Sequence, residues 1–259
     1  MTALVTGAGR GIGRAIAQRL SQDGWAVAIT ARSEGEIEET AKLCAGSTAT
    51  FAGDIAEPAF VQRLVQHVEH ALGPISLLVN NAGSGGPFGP FWETDPAEWW
   101  RCQEVNLRGP MLCCREVLPG MVVRSSGRIV NVVSGAACQA YPDMSAYVAS
   151  KTALLRFSEQ LAVELKPHGV SVFPIRPGLV RTRMVEEGRH QLPFIQKMLD
   201  DGLEVAPEVV ASLVATLASG QADALSGRLF QVREDLDSVL RQAEDVQQRE
   251  LYLLRLHTL

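Results

Sequence analysis

The sequence predicts an α/β protein, a three-layer sandwich with helices on both faces of a central, mainly parallel, seven-stranded sheet. Three observations predict it. Short β-rich runs alternate with helical patterns along the whole chain. Those runs are almost continuously apolar, as in strands covered on both faces. A glycine-rich turn joins the first run to the first helical stretch. The 259 residues suffice for one such domain with a large core, and 46% hydrophobic against 20% charged residues is an ordinary globular balance.

The elements follow in order. Residues 3–6 are the first strand, and a helical run over 12–20 follows the glycines. Residues 25–31 form a second buried strand, 34–44 a polar helix and 48–52 a third strand. In 60–71, Phe60, Val61, Leu64, Val65 and Val68 share one side of a helix. Residues 77–80 are the fourth strand. Residues 96–122 read as two helical pieces broken at Gly109-Pro110. The fifth strand is 128–133, and a long helical run over 146–166 is stopped by Pro167. Residues 170–175 and 228–232 supply the last two strands. Right-handed crossovers make such a sheet doubly wound and Rossmann-like.

No repeat, low-complexity tract or long linker divides the chain, so residues 1–233 are expected to form one domain carrying both cofactor and catalytic sites. Segment 181–203, with Gly188, Pro193 and Gly202, is the least regular and is expected to be a mobile cap over a site. Asp235 is placed to cap a helix with the apolar stripe Leu236, Val239, Leu240, Ala243 and Val246. The stretch from Leu251 to Leu256 is too apolar to stay free in water. Residues 234–259 are therefore expected as a helical extension on the body or on a neighbouring subunit.

Composition excludes several functions. A net charge of −5 leaves no basic footprint for nucleic acid or an anionic membrane. No apolar run approaches a membrane span. The first strand begins almost at Met1, so no signal or transit peptide is expected. The cysteines (Cys44, Cys102, Cys113, Cys114, Cys138) are odd in number and form no CxxC pair; reduced thiols in a cytoplasmic protein are expected, with Cys113 and Cys114 as core residues. Of His67, His70, His168, His190 and His257, only the first two share ligand spacing, so no metal site is expected. Ser134-Gly135 lacks the preceding glycine of a hydrolase elbow.

Two constellations carry chemistry. The first is Thr6-Gly7-Ala8-Gly9-Arg10-Gly11-Ile12-Gly13. Glycine lets backbone turn tightly and approach a phosphate, and the helix starting here would aim free N–H groups and its positive dipole end at that phosphate. The spacing departs from GxGxxG, and a glycine-rich turn can equally be a plain connector. The second is Tyr147 and Lys151, four apart in a helical run and so on one face. Ser134 stands at the C-terminal edge of a parallel strand, where such folds gather their ligands.

Together these residues resemble the classical short-chain dehydrogenase/reductase family. Thr6 to Gly13 is similar to its TGxxxGxG signature, and Asn80-Asn81-Ala82-Gly83 to its NNAG motif. Asp54-Ile55 resembles its adenine-contacting acid. Asn106, Ser134, Tyr147 and Lys151 fall in the order of its catalytic tetrad. Pro177-Gly178, with Val180 and Thr182, resembles its PG motif under the nicotinamide. The resemblance implies hydride transfer between a nicotinamide cofactor and a carbonyl or alcohol carbon. Gly7, Gly11, Ile12, Gly13, Asp54, Ile55, Asn81, Ala82, Gly83, Tyr147, Lys151, Pro177, Gly178, Val180 and Thr182 become the expected cofactor-binding residues. It also implies a homodimer or homotetramer, with 109–123 and 146–166 at the interface.

Cofactor choice follows from charge. An acid ending the second strand would bond the ribose 2′-OH of NAD, whereas arginine suits a 2′-phosphate. Here Ala31 takes that place and Arg32 follows, with Arg10 in the glycine turn. A guanidinium binds phosphate through two parallel hydrogen bonds, so NADP(H) is expected over NAD(H). NAD(H) remains open, because Glu34 is near and both arginines can be solvated surface charges.

In the catalytic reading Tyr147 is the general acid/base. A phenol near pKa ~10 needs help to ionise, and the Lys151 ammonium would stabilise its phenolate. Ser134 would donate to the substrate oxygen. The resemblance adds that Lys151 holds the nicotinamide ribose and that Asn106 orders a water linking Lys151 to solvent. Taken singly, each of these is ordinarily a packing, capping or solvated residue; their joint spacing and order carry the reading. Phe88, Phe91, Trp92, Cys138, Tyr141, Met144, Leu179, Met184 and Phe194 are expected to line an apolar mouth, which fits a hydrophobic carbonyl substrate. Arg181, Arg183, Arg189 and His190 would either meet an anionic tail or keep the cap soluble. A cofactor-binding regulatory protein without chemistry, or a non-redox enzyme on this fold, is the alternative; an intact tetrad argues against both.

Overall fold

The computed structural model describes residues 1–255; Leu256 and His257, named above, lie outside them. Seven strands form one sheet: β1 (Thr2–Thr6), β2 (Ala26–Ala31), β3 (Thr48–Ala52), β4 (Ile75–Asn80), β5 (Gly127–Val132), β6 (Val170–Arg176) and β7 (Phe230–Gln231). Their order is β3-β2-β1-β4-β5-β6-β7 and every pair is parallel. Winding reverses between β1 and β4, so the ends of those strands open the crevice where doubly wound sheets bind ligands. The glycine turn and the Asn80–Gly83 motif both stand there.

Alternate residues of each strand feed the two layers, as the period of two requires. Val5, Ile29, Val79, Val130 and Ile175 face one layer. There they meet α1 (Gly11–Gln22), α2 (Glu34–Lys42) and α9 (Pro207–Ala218). Leu4, Ala28, Leu78, Ile129 and Val172 face the other. Against them pack α3 (Pro58–Leu72), α5 (Gly109–Val123) and α6 (Ser145–Leu165). Among the described residues, no helix is long and apolar enough to cross a membrane.

The structure departs from the sequence reading in several places. Gly109-Pro110 is no break: α4 (Pro96–Gln103) runs through a π-helical turn, Glu104–Arg108, into α5. Pro110, which has no N–H for the helix ladder, follows the π turn directly after Gly109, whose N–H donates to Glu104 O. Gly109 is needed because a Cβ there would lie 2.6 Å from Ile55 Cδ1. Segment 181–203 is largely helical, as α7 (Arg183–Gly188) and α8 (Pro193–Asp200). The Thr182 hydroxyl accepts from Val185 N, and Pro193 opens α8, so residues taken as irregular are helix starts. The seventh strand shrinks to two residues. Finally, α9 falls in a stretch to which no element was assigned, although Val210, Leu213, Val214 and Leu217 form a helical stripe.

Beyond β7 the Asp235 carboxylate accepts from Ser238 N at 3.2 Å. Two short helices follow, α10 (Leu236–Arg241) and α11 (Ala243–Gln248), in place of one striped helix. Val246 is buried in the first layer, and Leu251 and Tyr252 pack on it. The Glu159 carboxylate on α6 accepts from Leu254 N at 2.6 Å and pairs with Arg255.

Candidate active site

The turn after β1 is locked from β4. Asn81 Nδ2 donates to Thr6 O (2.9 Å) and Gly7 O (3.1 Å). The Thr6 hydroxyl accepts from Asn81 N and Ala82 N, both at 3.1 Å. Gly7 has φ +63°, and a Cβ on it would meet Ala82 Cα at 2.6 Å. A Cβ on Gly13 would lie 2.4 Å from Gly7 O and 2.5 Å from Asn81 Nδ2. Side chains are thus excluded at both positions. No side chain caps α1 and no acid stands in its first turn, so its leading N–H groups remain free donors. A cradle without side chains, with free backbone donors, fits a dinucleotide phosphate.

The flanking residues are distributed unevenly. Arg32 is exposed just past β2 and forms no ion pair among the described residues. Arg10 pairs with Glu36 at 2.7 Å. Asp54 forms an ion pair with Arg101 and accepts from Ala56 N at 2.9 Å. Ile55 is buried against Gly109. Ile12 is half-buried in the first turn of α1, and Gly83 is exposed. Val180 is buried, the Thr182 methyl approaches Gly11, and Pro177-Gly178 turns β6 with φ +72° at the glycine.

Four polar residues converge beside this crevice. Ser134 stands two residues past β5, and its hydroxyl accepts from Ala136 N at 3.2 Å. It faces the Tyr147 phenol closely enough to favour the ionised form. Lys151 is buried, donates to Val132 O at 2.8 Å and lies 5.8 Å from the Tyr147 ring centroid. Asn106 is fully buried in the π turn. Its Nδ2 donates to Ser84 O (2.8 Å) and Ser150 Oγ (2.9 Å), and its Oδ1 accepts from Ser84 N (2.8 Å). Its amide therefore ties the 84 loop to α6. The extra residue of a π turn swings Asn106 towards that loop.

Burial governs both titrating groups. The Tyr147 ring is partly open to the cleft, yet its hydroxyl is dry enough that burial pushes the phenol above its usual pKa; Ser134 opposes this and Cys102 adds to it. Burial likewise brings Lys151 down to about 8, with Cys102 opposing. The lowering of the phenol expected from Lys151 is not the leading effect within the protein alone, because desolvation disfavours either charged form.

Of these groups, Ser134 and Tyr147 open onto a cleft of about 340 Å³. Phe88, Tyr141, Met144, Leu179, Met184 and Phe194 line it, with Tyr141 and Phe194 stacked at 5.0 Å. Phe91, Trp92 and Cys138 are not part of it: Phe91 and Trp92 ride a solvent-facing 3₁₀ turn and Cys138 is exposed. The cap arginines are answered locally, Arg181 and Arg189 by Glu186 and Arg183 by Glu187. Sequence reasoning missed Arg176, Gln231 and Arg233, all in the cleft wall. Their position at strand ends was the available signal, since parallel sheets place ligands there.

A parallel, doubly wound sheet with an uncapped glycine cradle at its switch point, and polar groups converging beside it, defines a nucleotide-binding α/β enzyme. A model of the short chain dehydrogenase family matches residues 1–193. A short chain dehydrogenase of Pseudocercospora fijiensis is 35% identical, over 94% of this chain and 83% of that one. Among solved structures, actinorhodin polyketide ketoreductase with NADPH superposes with a TM-score of 0.82 at 32% identity, covering 89% of this chain and 95% of that one. The 3-oxoacyl-[acyl-carrier protein] reductase of Brucella melitensis in complex with NAD gives 0.81 at 32%, covering 89% and 94%. The chain belongs to the short-chain dehydrogenase/reductase family and is an NAD(P)-dependent oxidoreductase.

Proposed function

We propose that this enzyme interconverts a carbonyl and a secondary alcohol on a hydrophobic small molecule with NADP(H), Tyr147 serving as general acid/base. One observation carries the reading: the Tyr147 phenol and the Ser134 hydroxyl meet on the wall of an apolar cleft, with the buried Lys151 ammonium 5.8 Å from the Tyr147 ring centroid. The backbone of Gly7, Gly11, Ile12 and Gly13 would take the cofactor's phosphates. Asp54 and Ile55 would border the adenine, Asn81, Ala82 and Gly83 the inner ribose side, and Pro177, Gly178, Val180 and Thr182 the nicotinamide. Tyr147 and Lys151 would hold its ribose. When bound, the cofactor supplies or takes up hydride. In reduction, Ser134 donates to the substrate oxygen and Tyr147 hands it a proton. Lys151 stabilises the phenolate left behind, and Asn106 holds the 84 loop in place.

Arg32 supports NADP(H), since its guanidinium is free to meet a 2′-phosphate. NAD(H) is the second reading: Glu36 already answers Arg10, and the two structural relatives named above carry NADPH and NAD respectively. Residues 1–233 hold every group named here, which fits one domain followed by a helical extension. Exposed Trp100, Val123 and Val163 on α4, α5 and α6 fit a homodimer or homotetramer built on those helices. Five free cysteines fit a reducing, cytoplasmic setting.

The test is nicotinamide absorbance across a ketone panel, with dissociation constants for NADPH and NADH. NADPH is expected to bind more tightly; equal or tighter NADH binding returns the cofactor choice to NAD(H). Tyr147→Phe is expected to lower kcat on the order of 10²- to 10⁴-fold while cofactor affinity is kept. Retention of most activity would remove Tyr147 from its role.

A further inference from the structure

The geometry points to a carboxylate-binding subsite at Arg176, so that the substrate is a hydrophobic ketone bearing a carboxylate near its carbonyl. This rests on the carbonyl-reducing reading above and names its substrate class. Arg176 ends β6, one residue before Pro177, and lines the cleft with Ser134 and Tyr147. Its guanidinium lies against the bare backbone of Gly135. A Cβ on that glycine would be 2.9 Å from Nε and 3.0 Å from Nη2. The positive charge is thus one residue from the hydroxyl that would meet the substrate oxygen.

How the arginine is held distinguishes it from the other cations around the cleft. Nη1 donates to Gln231 Oε1 at 3.1 Å. Gln231 in turn gives Nε2 to Glu234 Oε1 at 3.0 Å and its backbone N to Glu234 Oε2 at 3.2 Å. A neutral amide is therefore interposed between guanidinium and carboxylate. The chain Arg176–Gln231–Glu234 fixes the arginine without a direct ion pair, although the Glu234 carboxylate feels its charge through space. Nε and Nη2 donate to no protein acceptor among the described residues, and neither is a sealed-off buried atom. Two free, forked donors beside the reacting position match a carboxylate. By contrast, Arg181, Arg183 and Arg189 are paired with glutamates, and Arg233 donates to Leu203 O at 2.7 Å. Phe88 and the stacked Tyr141 and Phe194, which line the same cleft, would take an aryl or alkyl body.

The probes are 3-acetylbenzoate and 4-acetylbenzoate against their methyl esters, with saturating reduced cofactor. The unmodified enzyme is expected to favour an acid over its ester in kcat/KM. Arg176→Met is expected to lower that acid-to-ester ratio about ten- to a hundredfold, as loss of a charged hydrogen-bond pair would. Arg176→Lys should recover part of it, and a cofactor titration checks that each variant is intact. A measurement on the unmodified protein needs no variant: 3-ethylbenzoate should compete with the ester about tenfold more strongly than 3-ethylbenzamide. Turnover of the esters with no preference for the acids, or with a ratio unmoved by Arg176→Met, overturns the subsite and leaves carbonyl reduction standing. No turnover of any ketone in the panel by the unmodified enzyme overturns both.

Discussion

Lys151 is held where charge is costly, and that cost has a sign. Its pKa is about 8 in the folded chain against 10.5 ordinarily. Between those values the unfolded chain binds the extra proton, so stability rises with pH across that window and is lowest, for this group, below about 8. Burying the ammonium costs on the order of 3 kcal/mol, against about 1 kcal/mol recovered by the hydrogen bond to Val132 O. Lys151→Met is therefore expected to raise the melting temperature of the cofactor-free protein at pH 7, with the gain fading towards pH 10.5, while turnover collapses. Ketone reduction by the parent enzyme should fall as pH rises through about 8, because Lys151 then loses the charge that supports the phenolate. Thermal melts across pH check the first expectation and a kcat/KM profile the second. A lower melting temperature for the variant at every pH would refute the burial argument.

At the scale of elements, the β1–α1 turn and the β4 end act as one piece. Asn81 reaches across to two carbonyls of the turn, and Gly13 lets α1 approach closely enough for that reach. Gly13→Ala forces a Cβ against Gly7 O and Asn81 Nδ2, both at rigid positions. Cofactor affinity should fall at least about tenfold, the loss expected when one backbone–phosphate contact is misaligned. The mutation should leave far-ultraviolet dichroism unchanged. An unaltered dissociation constant would show that the cradle tolerates the shift. The π turn between α4 and α5 is the second such joint. It carries Asn106 onto Ser84 and Ser150 and so couples the loop after β4 to the helix bearing Tyr147 and Lys151. Asn106 was recognisable in the sequence by its order in the tetrad pattern. Its partners were not, since Ser84 and Ser150 carry no mark of their own.

In the whole molecule, the last segment closes the sheet's first layer and borders the cleft. Val246, Leu251 and Tyr252 pack on that layer, Leu254 is fastened to Glu159, and Gln231 to Arg233 lie in the cleft wall just before α10. Ending the chain at Glu234 would expose apolar side chains worth about 1.5–3 kcal/mol each when fully buried. The melting temperature should fall by several degrees, and KM should rise as the segment holding Arg233 loosens. Differential scanning calorimetry and steady-state kinetics test this; an unchanged melting point with unchanged KM would make the segment dispensable.

Much of this protein was legible residue by residue. Strands showed as apolar runs and helices as stripes, because backbone hydrogen bonding imposes periods of two and 3.6 on neighbours along the chain. For the same reason Tyr147 and Lys151 could be placed on one face from spacing alone. Other pairings were set by packing. Glu36 meets Arg10, Arg101 meets Asp54 and Gln231 meets Arg176 across 26, 47 and 55 residues of chain. Phe91 and Trp92 turn outward while Arg176 turns in. Which surplus charges meet, and which are left facing a cleft, depends on strand order, register and the stacking of layers, and no local period encodes that.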